Sequence, residues 1–267
     1  MGFPELSLLG TQPIQYDPDA RSPNLPIGLQ SSDFVKGRTH CKSSLIKSKP
    51  YVYKEFIIAN PKQRAMLTFN RKKLQDGYVS RFGPMPNDLA DAFSFLFSKI
   101  EKDENFADSD TDRRKLAYCL ATFKWETAHT MRPIDERGGD AYFNKRYGPG
   151  TSAGKMLGNT KAGDGALYHG RGYVQLTGRR NYTKAKALTG VDLVNEPDRA
   201  KEPELAYQIA IGGMTAGWFT GRKLVNYFVG DTADYINARK IINGLDQADK
   251  IADIARRFSE VLREAKA

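Results

Sequence analysis

Residues 168–183 read YHGRGYVQLTGRRNYT, and this run carries the strongest signal in the chain. Two glycines flank Arg171 and lead into an apolar segment of β-prone residues. Three neutral polar side chains lie within or just after that segment: Gln175, Thr177 and Asn181. Each can both donate and accept hydrogen bonds, which suits a site that holds hydroxyls, amides and a water without adding charge. Polar residues at alternate positions also describe an exposed strand face, so the interpretation depends on a second signal.

That second signal is a carboxylate in residues 123–139, FKWETAHTMRPIDERGG. Glu126 continues an apolar stripe of Leu116, Cys119 and Phe123 at helical spacing, so we expect it half-buried at the C-terminal end of a helix. Apolar surroundings and the negative end of the helix dipole both disfavour a charged carboxylate. The pattern therefore predicts a group that stays protonated near neutral pH and acts as a general acid.

A second carboxylate, Glu136, follows ten residues later in a loop between Pro133 and Gly138. We expect it to be better hydrated and ionised, as a general base must be. The competing interpretation is that Glu126 pairs with an arginine or lysine and that Glu136 is an ordinary loop residue, since surface carboxylates are common. The polar run downstream is what favours chemistry over that interpretation.

Length and composition limit the classes of protein to consider. The chain has 267 residues, 40% of them hydrophobic and 27% charged, which is ordinary for a globular protein with one large domain. No apolar run approaches the roughly 20 residues of a membrane helix, so no membrane span is predicted. The N-terminus shows no secretory signal, which predicts synthesis in the cytoplasm. Cys41 and Cys119 lie far apart without metal-ligand spacing, so we predict no disulfide framework, no metal site and no cofactor.

The formal net charge of the chain is +10, and the excess is concentrated near the N-terminus. Residues 1–81 contain 13 Lys+Arg against 6 Asp+Glu, a surplus of +7. A basic surplus favours binding to polyanions such as nucleic acid, anionic lipid or an acidic wall polymer, although it is also compatible with a merely solubilising surface. No nucleic-acid-binding motif is recognisable, so nucleic acid is not predicted as a partner.

The chain divides into an extension and a helical domain. Residues 1–81 begin with a proline-rich, weakly periodic tract and are predicted to form an N-terminal extension; residues 82–267 are predicted to form the domain. Within the domain, Asn87 and Ser109 are expected to cap two helices. The pattern also predicts a glycine-rich loop tract, one small strand region and three later helices, at 138–165, 171–177, 203–220, 231–242 and 247–264. The predicted fold class is mostly α.

Four stretches together resemble glycoside hydrolase family 19, the chitinase-like family, and especially its bacteriophage endolysin branch. They are WETAHT at 125–130, the run at 168–183, NEPDRAKEPELAYQIAIGGMTAGWF at 195–219 and IING at 241–244. The resemblance covers roughly residues 87–264. It implies a lysozyme-like or chitinase-like, two-lobed helical domain with a small β region, preceded by a long and largely irregular extension.

The resemblance also implies roles for individual residues. Glu126 corresponds to the general acid and Glu136 to the general base of a single-displacement, inverting hydrolysis, and Thr177 would help the base to hold the attacking water. The predicted substrate-binding residues are Gln175, Asn181, Asn243, Tyr168 and Arg171.

This sequence departs from the family pattern in three places. The ten-residue spacing of the two glutamates is shorter than in plant-type chitinases and typical of the endolysin branch. Trp125 stands where the family has a histidine before the acid. An arginine expected in the last helix has no clean match, because Ile254 falls near its place with Arg256 and Arg257 close by.

The function predicted from these observations is a peptidoglycan-degrading glycosidase that cleaves β-1,4 bonds between amino sugars in the bacterial envelope. Chitin is the second polymer that the resemblance allows. A non-catalytic virion protein that keeps the fold is also compatible with the sequence, as is a lytic transglycosylase, which needs only one catalytic glutamate. The extension is expected to bind cell wall, to dock the enzyme onto phage virion proteins, or to wrap around the domain.

Overall fold

The protein is described by a computed structural model that covers residues 65–267. Nearly all the regular structure in this part of the chain is helical, which confirms the predicted mostly-α class. The helices are α1 Arg71–Phe82, α2 Asn87–Ile100, α3 Asp110–Glu126, α4 Asp140–Tyr147, α5 Ser152–Leu157, α6 Asp164–Leu167, α7 Arg179–Thr189, α8 Pro203–Ala216, α9 Tyr235–Ala238 and α10 Ala248–Glu264. Three short 3-10 helices lie at Pro197–Lys201, Leu224–Asn226 and Arg239–Ile241. Four two-residue strands are β1 Ile134–Asp135, β2 Arg171–Gly172, β3 Phe228–Val229 and β4 Thr232–Ala233.

Helix α3 forms the centre of the larger of the two hydrophobic cores within residues 65–267. Its N-terminus is capped by Ser109, whose hydroxyl oxygen accepts a hydrogen bond from the Asp112 amide at 3.1 Å, as the sequence predicts. Every residue from Leu116 to Lys124 is buried, so neighbours cover the helix on all sides. Helix α10 packs against it through a stripe that includes Ile251 and Phe258. This packing fixes the C-terminal end of α3, where Glu126 lies.

Residues 65–82 also belong to this core. The Phe69 and Phe97 rings meet edge to face with centroids 5.4 Å apart, and the Phe82 ring lies 4.7 Å from that of Phe258. The sequence-based boundary at residue 82 assigned this segment to the extension, because the pattern over residues 51–81 is mixed and Phe82-Gly83-Pro84 is typical of a turn. The structure places the segment in the helical body, since its aromatic side chains fill gaps between α2 and α10. The rest of the predicted extension, residues 1–64, lies outside the described residues.

Several predicted elements differ in extent. Asn87 is the first residue of α2 and not its cap, a position taken by Pro86 without a side-chain hydrogen bond. Helix α8 ends at Ala216 because Gly217 adopts a left-handed conformation, with φ at +76°. The helix predicted at 231–242 is broken into β4, α9 and a 3-10 turn. The glycine-rich tract predicted as loop contains three short helices, α4 to α6.

A smaller core lies behind the polar run, and it fits the two-lobed architecture. Its members come mainly from the run, α7, α8 and the connection between those helices: Tyr168, Leu176, Tyr182, Ala185, Leu193, Ala200, Leu205 and Ile209. The strand predicted at 171–177 is only two residues long. β2 pairs antiparallel with β1, and the chain then turns so that Leu176 forms a bridge back to Arg171. This turn brings the polar run against the segment that carries Glu136.

Between Ala65 and Ala267, none of the helices combines the length and the apolar character that a membrane span needs.

Candidate active site

The acid side of the candidate site is the last residue of α3. Glu126 is only 7% exposed, and its Oε1 lies 2.6 Å from Nη1 of Arg239, which is equally buried. Nε of the same arginine donates to the Asp246 carbonyl at 3.1 Å, which fixes the direction of the guanidinium. Within residues 65–267 no hydrogen bond reaches Oε2 of Glu126. One carboxylate oxygen is therefore held by a cation and the other is left available.

This arrangement confirms the predicted burial of Glu126 but not its predicted apolar surroundings. The stripe formed with Leu116 and Phe123 does bury the carboxyl, since α3 presents that face to the core. The cation comes from a segment 113 residues further along the chain, which helical periodicity cannot reveal. Pairing with an arginine is also the competing interpretation of this glutamate, so the ion pair and a catalytic role must be reconciled.

Arg239 is the functional candidate that sequence reasoning missed. The arginine expected in the last helix is absent there: Ile254 is buried in the larger core, and Arg256 and Arg257 are exposed. The guanidinium comes instead from the 3-10 turn before IING, where the Asn243 amide donates to the Arg239 carbonyl at 3.0 Å. A usable signal was the four-residue spacing of Arg239 and Asn243, which places both on one side of a helical turn.

The backbone directly after Glu126 is strained. Ala128, His129 and Met131 have φ angles of +50°, +68° and +55°, a left-handed region that costs roughly 1–2 kcal/mol for a residue with a side chain. Thr127 stabilises the turn, because its hydroxyl donates to the Phe123 carbonyl at 2.7 Å and accepts from the Met131 amide at 3.0 Å. The chain thereby reverses direction within a few residues and continues to β1.

The base side is built on the pairing of β1 with β2. The Glu136 amide donates to the Gly170 carbonyl at 2.7 Å, and the Gly170 amide donates back to Oε2 of Glu136 at 3.0 Å. Oε1 accepts a hydrogen bond from the Tyr147 hydroxyl at 2.8 Å. Glu136 is half-buried, so water has access to a carboxylate whose two oxygens are both held by neutral donors.

Tyr147 and Gly170 explain how Glu136 keeps this position. Burial, with the nearby Glu136 carboxylate adding to it, raises the pKa of Tyr147, so its hydroxyl remains a proton donor. A Cβ on Gly170 would lie 2.8 Å from Oε1 of Gln175 and 3.0 Å from Oε2 of Glu136. Glycine is therefore needed here for close approach, and the same contact shows that Gln175 lies next to the candidate base.

The polar run folds over the base as a small hydrogen-bonded unit. Gln175 adopts a left-handed conformation with φ at +55°, and its Nε2 donates to the Ile134 carbonyl at 3.3 Å. The buried Thr177 hydroxyl donates to the Gln175 carbonyl at 2.8 Å, and the buried Asn181 amide donates to the Thr177 carbonyl at 3.0 Å. The three predicted residues are thus linked to one another, with Gln175 closest to Glu136.

Three other predicted residues have different surroundings. Asn243 is buried beside Arg239 on the acid side, and its Oδ1 accepts from the Gly244 amide at 2.8 Å. Tyr168 is 1% exposed, and its hydroxyl donates to the Val194 carbonyl at 2.9 Å. Arg171 is also buried; its guanidinium donates to the Leu167 carbonyl, to the Tyr182 hydroxyl and to Asp198. In this structure the protein itself uses the side chains of Tyr168 and Arg171, which join the run to the smaller core.

Part of this sequence matches a known protein family. Residues 91–223 match the family model described as chitinase class I, glycoside hydrolase family 19. The chain carries a glycoside hydrolase family 19 domain. The matched region contains Glu126, Glu136 and the whole polar run, and it ends before Arg239 and Asn243. The protein is a glycoside hydrolase.

The fold of this domain is also similar to that of a solved bacterial chitinase. Chitinase C from Streptomyces griseus HUT6037 superposes with a TM-score of 0.50 at 20% identity, covering 74% of this chain and 94% of the chitinase. A bacterial family 19 chitinase matches at 18% identity with a TM-score of 0.45, covering 73% of this chain and 94% of its own. A comparison with curated proteins gave no match.

His169, next to Gly170, supports the loop around the candidate base. His169 contacts Asp135 at 3.2 Å and the Ala166 carbonyl at 2.6 Å, and its ring stacks on Phe143 at 4.5 Å. Among residues 65–267, no group of three or more histidine, cysteine, aspartate or glutamate side chains is placed to hold a metal ion. The contacts of His169 therefore stabilise the approach to Gly170.

Proposed function

We propose that the protein is a peptidoglycan-degrading hydrolase of the endolysin type, which cleaves β-1,4 bonds between amino sugars with inversion. The observation that carries the proposal is the contrast between its two carboxylates. Glu126 is buried at a helix end, whereas Glu136 is half-buried, accessible to water and held by neutral donors. Two carboxyl groups in unlike environments are the usual basis for separate acid and base roles.

In this mechanism Glu126 donates a proton to the leaving oxygen of the glycosidic bond. Arg239 holds Oε1, so the transferable proton belongs on Oε2, which receives no hydrogen bond within residues 65–267. The ion pair then orients the acid.

Glu136 activates the water that attacks the anomeric carbon from the opposite face. The Gly170 amide and the Tyr147 hydroxyl orient both of its oxygens, and the neighbouring run adds Gln175 and Thr177 as candidates for positioning the water and the sugar. Inverting enzymes separate their carboxyls by about 6.5–9.5 Å so that a water fits beneath the sugar. An acid on a helix and a base on a separate strand pair suit such a gap.

Peptidoglycan is the proposed substrate for two reasons. The net charge of +10 favours an anionic bacterial envelope over uncharged chitin, and the ten-residue spacing of Glu126 and Glu136 is of the endolysin type. Chitin is the second candidate, because the matched family model is described as chitinase class I and the matched structures are chitinases. Both polymers present the same bond between amino sugars.

A test of activity uses purified peptidoglycan and chitin oligomers with wild type, Glu126→Gln and the control Glu104→Gln, an exposed glutamate on the same domain. We expect wild type and the control to release muropeptides that have gained a water, detected by mass spectrometry, and Glu126→Gln to release none. Products lacking that water would indicate a lytic transglycosylase. Cleavage of chitin alone would identify a chitinase, and no cleavage by wild type would favour the non-catalytic virion protein.

We also propose that residues 1–64 direct the enzyme to the cell wall or to a phage particle, with action in the bacterial envelope after synthesis in the cytoplasm. Deletion should stop at residue 64, because residues 65–82 pack into the larger core. We expect the shortened protein to sediment less with intact cell walls, or to enter fewer virions, while its turnover of soluble fragments is unchanged. An equal loss of binding and turnover would assign the segment a folding role.

A further inference from the structure

A cavity of about 280 Å³ lies on the side of the domain formed by α3, α9 and α10. Its lining is dominated by cations and hydroxyls: Arg114, Tyr235, Arg256, Ser259, Glu260 and Arg263. Arg114 precedes Glu126 by twelve residues on the same helix, which corresponds to roughly 18 Å along the axis at 1.5 Å per residue. The cavity is thus well separated from the candidate active site.

The three arginines have few carboxylate partners among the described residues. Arg256, Glu260 and Arg263 recur at spacings of four and three on α10, so they share one face of that helix. Within residues 65–267 no ion pair involves Arg256 or Arg263, whereas the neighbouring Arg257 is paired with Asp253 at 2.6 Å. Clustered guanidinium groups repel one another unless an anion lies between them.

The acidic groups near the cavity do not neutralise this cluster. Glu260 is the single carboxylate in the described lining, and Oε2 of Glu260 is already held by Nε of Arg81 at 3.0 Å. Asp231 approaches Nη2 of Arg114 at 3.6 Å, but its side chain is fully exposed to water. The electrostatic surroundings of the cavity are therefore positive.

Two buried donors at the cavity lack an acceptor. The Tyr235 hydroxyl and Nε of Arg114 are both shielded from solvent, and neither forms a hydrogen bond with any described residue. Tyr235 is only 7% exposed, and burial raises the pKa of Tyr235, so its hydroxyl stays protonated. Ser259 lies close to this hydroxyl and lines the same cavity. Buried donors are almost always satisfied in native proteins, so these two need an acceptor from outside the protein, such as a water or a bound anion.

We propose that this cavity binds a phosphate group, as a free ion, a phosphomonoester or a phosphodiester. Guanidinium groups recognise tetrahedral oxyanions through several charge-assisted hydrogen bonds, and the Tyr235 and Ser259 hydroxyls supply the neutral donors. The volume fits a small charged group and not a glycan chain, since pockets for drug-sized ligands begin at about 300 Å³. The site is independent of the proposed hydrolysis, so either can fail without the other.

The test is isothermal titration of the full chain with inorganic phosphate in a low-salt chloride buffer. We expect saturable binding at one site, weakened about tenfold or more in Arg256→Gln and in Arg263→Gln, because each removes a charge-assisted bond. Arg257→Gln removes the same charge from the same helix outside the cavity and should change the affinity less than about twofold. Absence of saturable binding, or an equal effect of Arg257→Gln, would overturn the proposal.

The variant Tyr235→Phe distinguishes a specific phosphate-binding site from a surface that is only positively charged. Removing a buried hydroxyl without a partner should leave the Tm unchanged or raise it in phosphate-free buffer, while the affinity for phosphate falls about threefold to tenfold. Unchanged affinity would show that the Tyr235 hydroxyl does not bind phosphate, and it would contradict the proposed site. Titration with glycerol 3-phosphate and with glycerophosphoglycerol then compares a monoester with a diester, and binding of either supports the site and indicates its source.

Discussion

Glu126 and Glu136 differ in what holds them, since a buried guanidinium contacts the first and two neutral donors contact the second. The first belongs to a long helix packed on all sides. The second lies at the end of a two-residue strand and depends on a single pairing with the polar run. The proposed hydrolysis needs an acid and a base on opposite sides of one bond, so a single chain must provide both of these environments.

The difference shows that the two carboxylates receive their position and their polar contacts from different combinations of elements. On the acid side, α3 provides the position and a distant turn provides the charge of Arg239. On the base side, the same short loop provides both, because the Gly170 backbone pairs with the Glu136 backbone and also donates to its side chain. The acid should thus resist small backbone changes nearby, whereas the base should be sensitive to them.

The largest effect is expected from Glu136→Gln, which removes the proposed base while keeping its size. Loss of general base catalysis should lower kcat by roughly 10²–10⁴-fold with little change in KM. The measurement is the initial rate of release of soluble muropeptides, with circular dichroism to confirm the fold. Full activity would show that one carboxylate is enough and would support a lytic transglycosylase.

Arg239→Met tests the acid side through stability. Removing one partner of a buried ion pair leaves Glu126 uncompensated, so we expect the free energy of unfolding to fall by roughly 3–5 kcal/mol in urea titrations. The matched control is Arg257→Met, which breaks an exposed pair with Asp253 and should cost less than about 1 kcal/mol. Similar losses in the two variants would mean that the buried pair does not hold the acid.

Gly170→Ala tests how sensitive the base is to its backbone. The added methyl would come within 3.0 Å of Oε1 of Gln175 and Oε2 of Glu136, so these side chains must shift, and the carboxylate of the proposed base moves with them. We expect kcat to fall about 10–100-fold, since small misplacements of catalytic groups are costly. Gly139→Ala is the control, because a Cβ there meets nothing within 4 Å. Equal activity of the two variants would contradict the proposed role of the close approach.

A smaller effect on the free energy of unfolding is expected from Lys124, a buried cation that can be compared with Arg239. Its Nζ donates to the Tyr78 hydroxyl at 2.6 Å, and burial lowers the pKa of Lys124 from 10.5 to about 8. Between those values the unfolded chain binds more protons than the folded one, so the free energy of unfolding rises with pH in that window. The contribution should be roughly 1–2 kcal/mol between pH 8 and pH 9.5.

The measurement compares urea unfolding of wild type and Lys124→Met at several pH values in this window. Tyrosine side chains titrate close to this pH range. The quantity to follow is therefore the difference in the free energy of unfolding between wild type and Lys124→Met. We expect the variant to be the more stable at pH 8 and its advantage to shrink as the pH rises. A difference that does not depend on pH would show that Lys124 is not the titrating group.

The sequence predicts those parts of the fold that depend on local pattern. Ser109 and the apolar stripe ending at Glu126 define α3 without reference to the rest of the chain, and the stripe of α10 is equally clear. The motifs from 168 to 183 indicate the family. The pairing of Glu126 with Arg239 is not local, because 113 residues separate them and no periodicity links a helix end to a distant turn.

Further parts were missed for related reasons. Helix α7 begins at Arg179, within the polar run, and is itself strongly polar, so the sequence pattern did not reveal it. The strand pair β1–β2 is too short to show alternation, and the stacking of Tyr173 on Phe123 next to it is a tertiary contact that the local pattern does not reveal. Tyr168 and Arg171 were predicted to bind substrate, and the structure shows both buried with partners inside the protein, contacts that the local sequence pattern does not reveal.

The left-handed turn after Glu126 has a consequence for protein engineering. Ala128 and His129 hold conformations that glycine adopts without strain, and their side chains remain exposed at the edge of the candidate active site. Glycine at these positions would relieve strain. It would also remove side chains from that edge and make the backbone between Glu126 and Glu136 more flexible. A search for heat-resistant variants should therefore exclude this turn, and the tolerant surfaces for such changes lie elsewhere on the domain.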